Sequence, residues 1–296
     1  MAHLRALCCA SLVSFALAIP ARAQDACVLE PDQALELSAL PDTVAQEKKP
    51  AACAAAKTGT KDAMAKKPAA APRKSKLPEA AAALIQHTKH FKVAYRRPQD
   101  ASDETLVLLH GSGGDETTLM PLASRLAPQA ALMGVAGRVT QEGTSRWYQR
   151  ITATSFDQTD IRAEAEAFAA FLQDAVKSKK LDLGRTVFIG YSNGANLLGA
   201  LSLLHPGLVQ RAVLLRPMPV LDAAPVADLS KTRFLTVVGV NDELYAPYGP
   251  TLEAILRERG ARVDARTVKA GHLLGEEDVK VVADWLAASD AVSLNR

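Results

Sequence analysis

The sequence predicts an α/β fold, a mostly parallel central sheet with helices on both faces. Three observations carry this. From residue 79 onward, short apolar runs of strand length alternate with segments of helical period. The run Thr186-Val187-Phe188-Ile189 passes through Gly190-Tyr191-Ser192-Asn193-Gly194 straight into a helical pattern, as a buried parallel strand feeding a crossover helix does. Glycine-bearing loops, at Gly111 to Gly114, at Gly239 and at Gly271, stand where apolar runs end, and ligands of such sheets bind beyond the carboxyl ends of the strands.

The elements follow in order. Residues 79–87 read as a short helix and residues 91–95 as an extended strand. The compact apolar run 105–109 is a buried strand ending in His110-Gly111-Ser112-Gly113-Gly114, and residues 117–126 have helical spacing. Residues 131–135 form another short strand, and 161–176 an amphipathic helix with alanine and phenylalanine on one side. The strand before Ser192 leads to a helix over 193–204, then to a strand at 212–215. A buried strand at 234–238, a helix at 248–259, a strand of alternating character at 261–268 and a closing helix at 276–288 complete the pattern. Between the strands at 212–215 and 234–238, residues 216–233 carry Pro217, Pro219 and Pro225, which predicts an ordered loop, an open cleft and no large cap domain.

At 296 residues, 48% hydrophobic and 23% charged, the chain is long enough to bury a full-sized core. Its front reads differently. His3 and Arg5 precede an apolar run to Ile19, and Ala21-Arg22-Ala23 closes it, so residues 1–23 read as a secretory signal cleaved after Ala23. Export to the periplasm or medium is therefore expected, with an uncleaved anchor as the alternative; Cys8 and Cys9 leave with the signal. Residues 24–44 are the mature N-terminal segment, and residues 45–78 a disordered linker of alanine, lysine and proline. Nine basic residues against Glu47 and Asp62 give that linker +7, so the rest of a chain with formal charge +3 sums to −4. A solvated spacer is the plainer reading of this charge, and weak contact with an anionic envelope surface the functional one. Aromatic residues are not interleaved with the lysines, so nucleic acid is not an expected partner. Cys27 and Cys53 remain, either as a local disulfide or as two thiols. No metal-ligand motif is present, and the sequence implies neither a metal nor a cofactor.

Chemistry concentrates beyond residue 79, in a catalytic domain expected to span 79–296. A serine hydroxyl needs a base to take its proton, and the base needs an oriented acid. Ser192 stands in Gly-x-Ser-x-Gly, Asp242 follows the strand ending at Gly239, and His272 follows the next strand. Ser, Asp, His, each at a strand's carboxyl end, is the chain order of α/β-hydrolases. Glu243 is the rival acid. His110 is read as structural, bonding backbone to shape the glycine loop, and His205 as a residue of a helix C-terminus. The oxyanion donors expected are the N–H groups of Asn193 and Ser112, with Gly113 the alternative to Ser112. A phosphate loop is the rival for Gly111 to Gly114, but the Gly-Lys-Ser/Thr ending is absent.

Leu108-Leu109-His110-Gly111-Ser112-Gly113-Gly114-Asp115-Glu116, Gly137-Arg138-Val139 with Arg146-Trp147-Tyr148, Gly190-Tyr191-Ser192-Asn193-Gly194-Ala195-Asn196, Leu215-Arg216-Pro217-Met218, Asp242 and Gly271-His272 together resemble the bacterial phospholipase/carboxylesterase family of α/β-hydrolases. The resemblance covers residues 91–288. It implies a serine esterase without a cofactor, acting on short or medium acyl or aryl esters, with Ser192, Asp242 and His272 in the catalytic roles. The signal and the lysine-rich linker depart from the family pattern, and the serine at 192 sets the chain apart from the cysteine-nucleophile dienelactone hydrolases.

Trp147, Tyr148, Met218, Leu244, Tyr245 and Leu273 are the candidates to line the cleft, with core packing as the rival for each. Arg146 could meet a substrate carboxylate or phosphate, a surface ion pair being the plainer expectation. The expected function is an exported serine carboxylesterase acting through an acyl-enzyme on Ser192. Its alternatives are a thioesterase or lysophospholipase, an extracellular polyester hydrolase, and a non-catalytic envelope-binding protein on a hydrolase scaffold.

Overall fold

The computed structural model describes residues 83–293, so the signal, the segment 24–44, the linker 45–78 and the Cys27/Cys53 pair lie outside the described residues. The elements run β1 (Leu84–His87), β2 (Lys92–Arg96), β3 (Thr105–Leu109), α1 (Met120–Leu126), β4 (Ala131–Val135), β5 (Val139–Gln141), β6 (Thr144–Arg146), α2 (Gln158–Lys177), β7 (Thr186–Tyr191), α3 (Asn193–Leu204), β8 (Arg211–Leu215), β9 (Arg233–Gly239), α4 (Gly249–Glu258), β10 (Arg262–Val268) and α5 (Glu276–Ser293). Eight strands make one sheet in the order β1-β2-β4-β3-β7-β8-β9-β10. Pairing is parallel from β4 through β10 and antiparallel at β1 and β2. Parallel neighbours need crossovers; α1, α3 and α4 supply them between β3 and β4, β7 and β8, and β9 and β10, α2 lies on the path from β4 to β7, and β8 reaches β9 through a loop without a helix.

The strands are buried on both faces, and alternate residues serve two separate cores. Phe188 of β7 packs with Phe168 and Leu172 of α2 and Leu197 and Leu201 of α3. Its neighbours Val187 and Ile189 point the other way, to Leu119, Met120 and Leu126 around α1 and to Val282, Trp285 and Leu286 of α5. This period of two turns a continuous apolar run into a two-faced strand. Helix α3 is buried from Asn193 to Leu203, since it lies between the sheet and α2. Helix α2 is capped by Asp157, whose carboxylate accepts the N–H groups of Thr159 and Asp160 at 2.9 and 3.0 Å.

Two departures from the sequence expectation have physical causes. Residues 84–87 are not helical: they form β1, paired antiparallel with β2 from Leu84↔Tyr95 to His87↔Lys92. The open edge of β2 offers a ladder, and tertiary pairing outweighs a weak local preference. The hairpin of β5 and β6 was not expected at all. Its turn has both central residues at positive φ, Glu142 at 52° and Gly143 at 80°, a geometry usually announced by Asn-Gly rather than Glu-Gly. Residues 216–232, between β8 and β9, contain no helix, as the prolines suggested. No described helix is long and apolar enough to cross a membrane.

Candidate active site

The carboxyl ends of β3, β7, β9 and β10 bring the site together. At the end of β7 the chain turns through Ser192 at φ 49°, ψ −113°, a conformation that costs a non-glycine residue free energy. Ser192 N–H donates to Leu215 O at 2.8 Å and pins the turn to β8. The glycines beside it are required by space. A Cβ on Gly190 would lie 2.7 Å from the Ala195 backbone, and one on Gly194 2.3 Å from Leu109 O. Without those side chains α3 lies directly on β7 and β3.

His272 Nε2 is 2.9 Å from Ser192 Oγ, and its Nδ1 is 2.6 Å from Asp242 Oδ2. A carboxylate only accepts, so Nδ1 carries the proton and Nε2 is left to receive the serine O–H. The other Asp242 oxygen accepts Tyr245 N–H at 3.2 Å, and the carboxylate is buried. Its rival Glu243 is exposed. The loops carrying acid and base are tied by Val240 N–H to Val268 O and Asn241 N–H to Ala270 O, both 3.0 Å. The imidazole stands between two phenol rings, Tyr245 at 4.9 Å and Tyr191 at 5.5 Å between centroids. Burial pushes the Tyr191 hydroxyl up to about 12, so it stays protonated and donates to His272 O at 3.1 Å.

Facing Ser192 is the loop after β3. Gly113 N–H donates to Ser145 O at 2.8 Å, which removes it as the alternative oxyanion donor. Ser112 lines the cleft with Ser192 and Asn193, and its hydroxyl accepts Arg146 Nη1–H at 2.8 Å. Asn193 opens α3, where its N–H has no intrahelical acceptor. Its side-chain oxygen takes Trp147 N–H at 2.7 Å. His110 holds the loop as expected: Nδ1–H donates to Gly111 O at 2.6 Å, and Nε2 accepts Gly137 N–H at 2.8 Å. Burial holds its pKa below the usual histidine range, keeping the ring neutral as those bonds require. His205 caps the C-terminal end of α3, with Glu166 at 3.2 Å.

Of the six side chains proposed for the cleft, Tyr148, Met218 and Tyr245 line it with Ser192. Trp147 does not: it is fully buried behind the site, its indole N–H donating to His110 O at 3.0 Å. Leu244 and Leu273 stand outside the cleft lining, about half exposed, at 49% and 50%, because their loops turn them toward solvent. Arg146 does not lie on the surface. It is 5% exposed and forms cleft wall beside Ser112. Asn196 was missed, although it sits one turn after Ser192 and so shares its side of α3; its Oδ1 accepts Met218 N–H at 2.8 Å. Beyond Asn196 and Met218 lies an apolar recess lined by Ala200, Leu203, Val220 and Ile255. Among the described residues no cluster of three or more His, Cys, Asp or Glu is arranged to hold a metal ion.

The chain is 48% identical to a carboxylesterase from Mesorhizobium loti; the match covers 69% of this chain and 98% of that one, with a TM-score of 0.67. A Bacillus cereus carboxylesterase is 30% identical over 67% of this chain and 93% of its own, with a TM-score of 0.63. MhqD of Bacillus subtilis (strain 168), named in general terms as a hydrolase, is 29% identical over 185 residues, 62% of this chain and 92% of MhqD. No protein-family model matches the chain.

Proposed function

The chain belongs to the phospholipase/carboxylesterase family of α/β-hydrolases and is a carboxylic ester hydrolase, and from that premise we propose that it works as an exported serine esterase through an acyl-enzyme on Ser192. The observation that carries the proposal is the hydrogen-bonded line Ser192 Oγ, His272 Nε2 and Nδ1, Asp242 Oδ2, at 2.9 and 2.6 Å. His272 takes the Ser192 proton as Oγ attacks the acyl carbon. Asp242 keeps the imidazole in the tautomer that can accept that proton and stabilises the imidazolium it becomes. The oxyanion of the tetrahedral intermediate lies against the N–H groups of Asn193 and Ser112, with the positive end of α3 behind it. His272 returns the proton to the leaving alcohol, and Ser192 keeps the acyl group. Water then repeats the sequence, with His272 as base, and frees the carboxylic acid and Ser192.

Short or medium acyl and aryl esters fit this site best. The stretch between β8 and β9 builds no helical cap. Met218, Tyr148 and Tyr245 give the cleft an apolar yet compact wall. The apolar run ending in Ala21-Arg22-Ala23 supports export with Gln24 as the mature N-terminus. A fluorophosphonate probe is expected to label the wild-type protein on Ser192, and a series of chromogenic esters to show turnover falling as the acyl chain lengthens. Wild-type protein that hydrolyses esters without labelling at Ser192 overturns the serine mechanism. Mass spectrometry of the exported protein tests the cleavage site, and an N-terminus other than Gln24 refutes it.

A further inference from the structure

We infer that Arg216, locked by Asp278, is a positioning residue that holds the backbone on both sides of His272 in register with Ser192 and Asp242; the inference rests on the serine-esterase reading above. Arg216 is the first residue after β8 and Asp278 lies in the first turn of α5, yet their side chains meet with 0% and 1% exposure. Nη1 and Nη2 donate to the two carboxylate oxygens at 2.7 and 3.0 Å. The other donors of the fork leave the ion pair. Nε–H goes to Gly271 O at 2.8 Å, Nη2–H to Leu273 O at 3.2 Å, and Nη1–H to Val237 O at 3.4 Å. Between the two loop carbonyls, His272 O takes the Tyr191 hydroxyl. Three successive carbonyls around the base are therefore held by side chains from the ends of β7 and β8. Asp278 Oδ2 also accepts Gly275 N–H at 2.8 Å and ties down the far end of the same loop.

Two further features belong to this clamp. A Cβ on Gly239 would lie 2.8 Å from Arg216 Nε and 2.4 Å from Gly271 O, so glycine at the end of β9 leaves the room in which the two meet. Arg216 itself sits at φ 54°, a left-handed conformation that a non-glycine residue holds at a cost when its surroundings compel it. A buried ion pair kept only for stability can usually be exchanged for apolar residues without loss. A planar fork that spreads its N–H groups over a carboxylate and three carbonyls does what neither lysine nor an apolar pair can do.

The test compares Arg216→Met/Asp278→Leu, which removes both charges together, with Arg216→Lys, which keeps the ion pair and loses the fork. In folded protein, judged by cooperative melting, both are expected to lower kcat on a chromogenic ester about 10- to 100-fold while KM stays within about twofold, because the loss is one of geometry and not of substrate binding. The downfield proton resonance of the His272 Nδ1–H···Asp242 bond is expected to broaden or vanish in both. A folded variant of either kind that keeps wild-type kcat and that resonance overturns the clamp. If the double variant does not fold, Arg216→Lys carries the decision alone. Ser192→Ala is assayed alongside: undiminished turnover there refutes the serine reading, whereas full activity in the clamp variants with Ser192→Ala inactive refutes the clamp only.

Discussion

Ser192, His272 and Asp242 divide one task, so removing any of them removes most of it. Ser192→Ala is expected to lower kcat by about 10⁴-fold or more, leaving what the oxyanion donors and substrate binding provide; steady-state turnover of a chromogenic ester measures it. His110 makes a different prediction, about stability. Burial lowers its folded-state pKa from 6.5, so below that pH the unfolded chain binds a proton that the native ring refuses. Stability is then fully present above about 6.5 and is lost as pH falls from there toward the depressed folded value. Urea midpoints between pH 5 and pH 7.5 should fall more steeply for wild type than for His110→Asn, and equal slopes would refute the assignment. The signals of Ser192, Asp242 and His272 were local, each a small residue pattern at a strand end. Those of Arg146, Asn196 and Arg216 were not, since an arginine or asparagine in a sequence does not show whether the fold will bury it.

The strand β7, the Ser192 turn and the helix α3 act as one rigid unit, and its tolerance is set by contact between backbones. In Gly194→Ala the new methyl would fall 2.3 Å from Leu109 O and 2.6 Å from His110 O. Helix α3 must move off β3, which is expected to cost about 2 kcal/mol or more and to lower kcat, because the same shift separates Asn193 from the Ser112 loop. Urea denaturation and ester kinetics on one preparation read both effects. Asp157→Ala is the contrasting case. It removes the cap of α2 and should cost about 1 kcal/mol with kcat unchanged, since α2 supports the core without touching the reacting groups. Elements with strong periods, such as β3, β7, α2 and α3, were legible because burial on a given face repeats along the chain. The strand β1 and the hairpin of β5 and β6 were not, because their partners, and not their own residues, select the extended state.

Both hydrophobic cores and the proposed reacting groups fall within residues 83–293, and the linker carries +7 of a chain whose total is +3. A protein lacking residues 24–78 is therefore expected to hydrolyse small esters with kcat/KM within about twofold of the mature chain, while retention on an anionic surface weakens. A collapse of small-ester turnover would show that the front of the chain is part of the catalytic unit. The sequence by itself determined the alternation of strand and helix, the chain order of Ser192, Asp242 and His272, and the glycine loops, because hydrophobic period and backbone permissiveness are local properties written residue by residue. Only the tertiary structure decided that Gly113 N–H is already engaged, that Trp147 packs away from the cleft while Tyr148, equally buried, abuts it, that Arg146 is buried, and that Arg216 reaches past Asp278 to the carbonyls beside His272. Each of these depends on which distant segments meet, and that is fixed by the packing of the whole sheet.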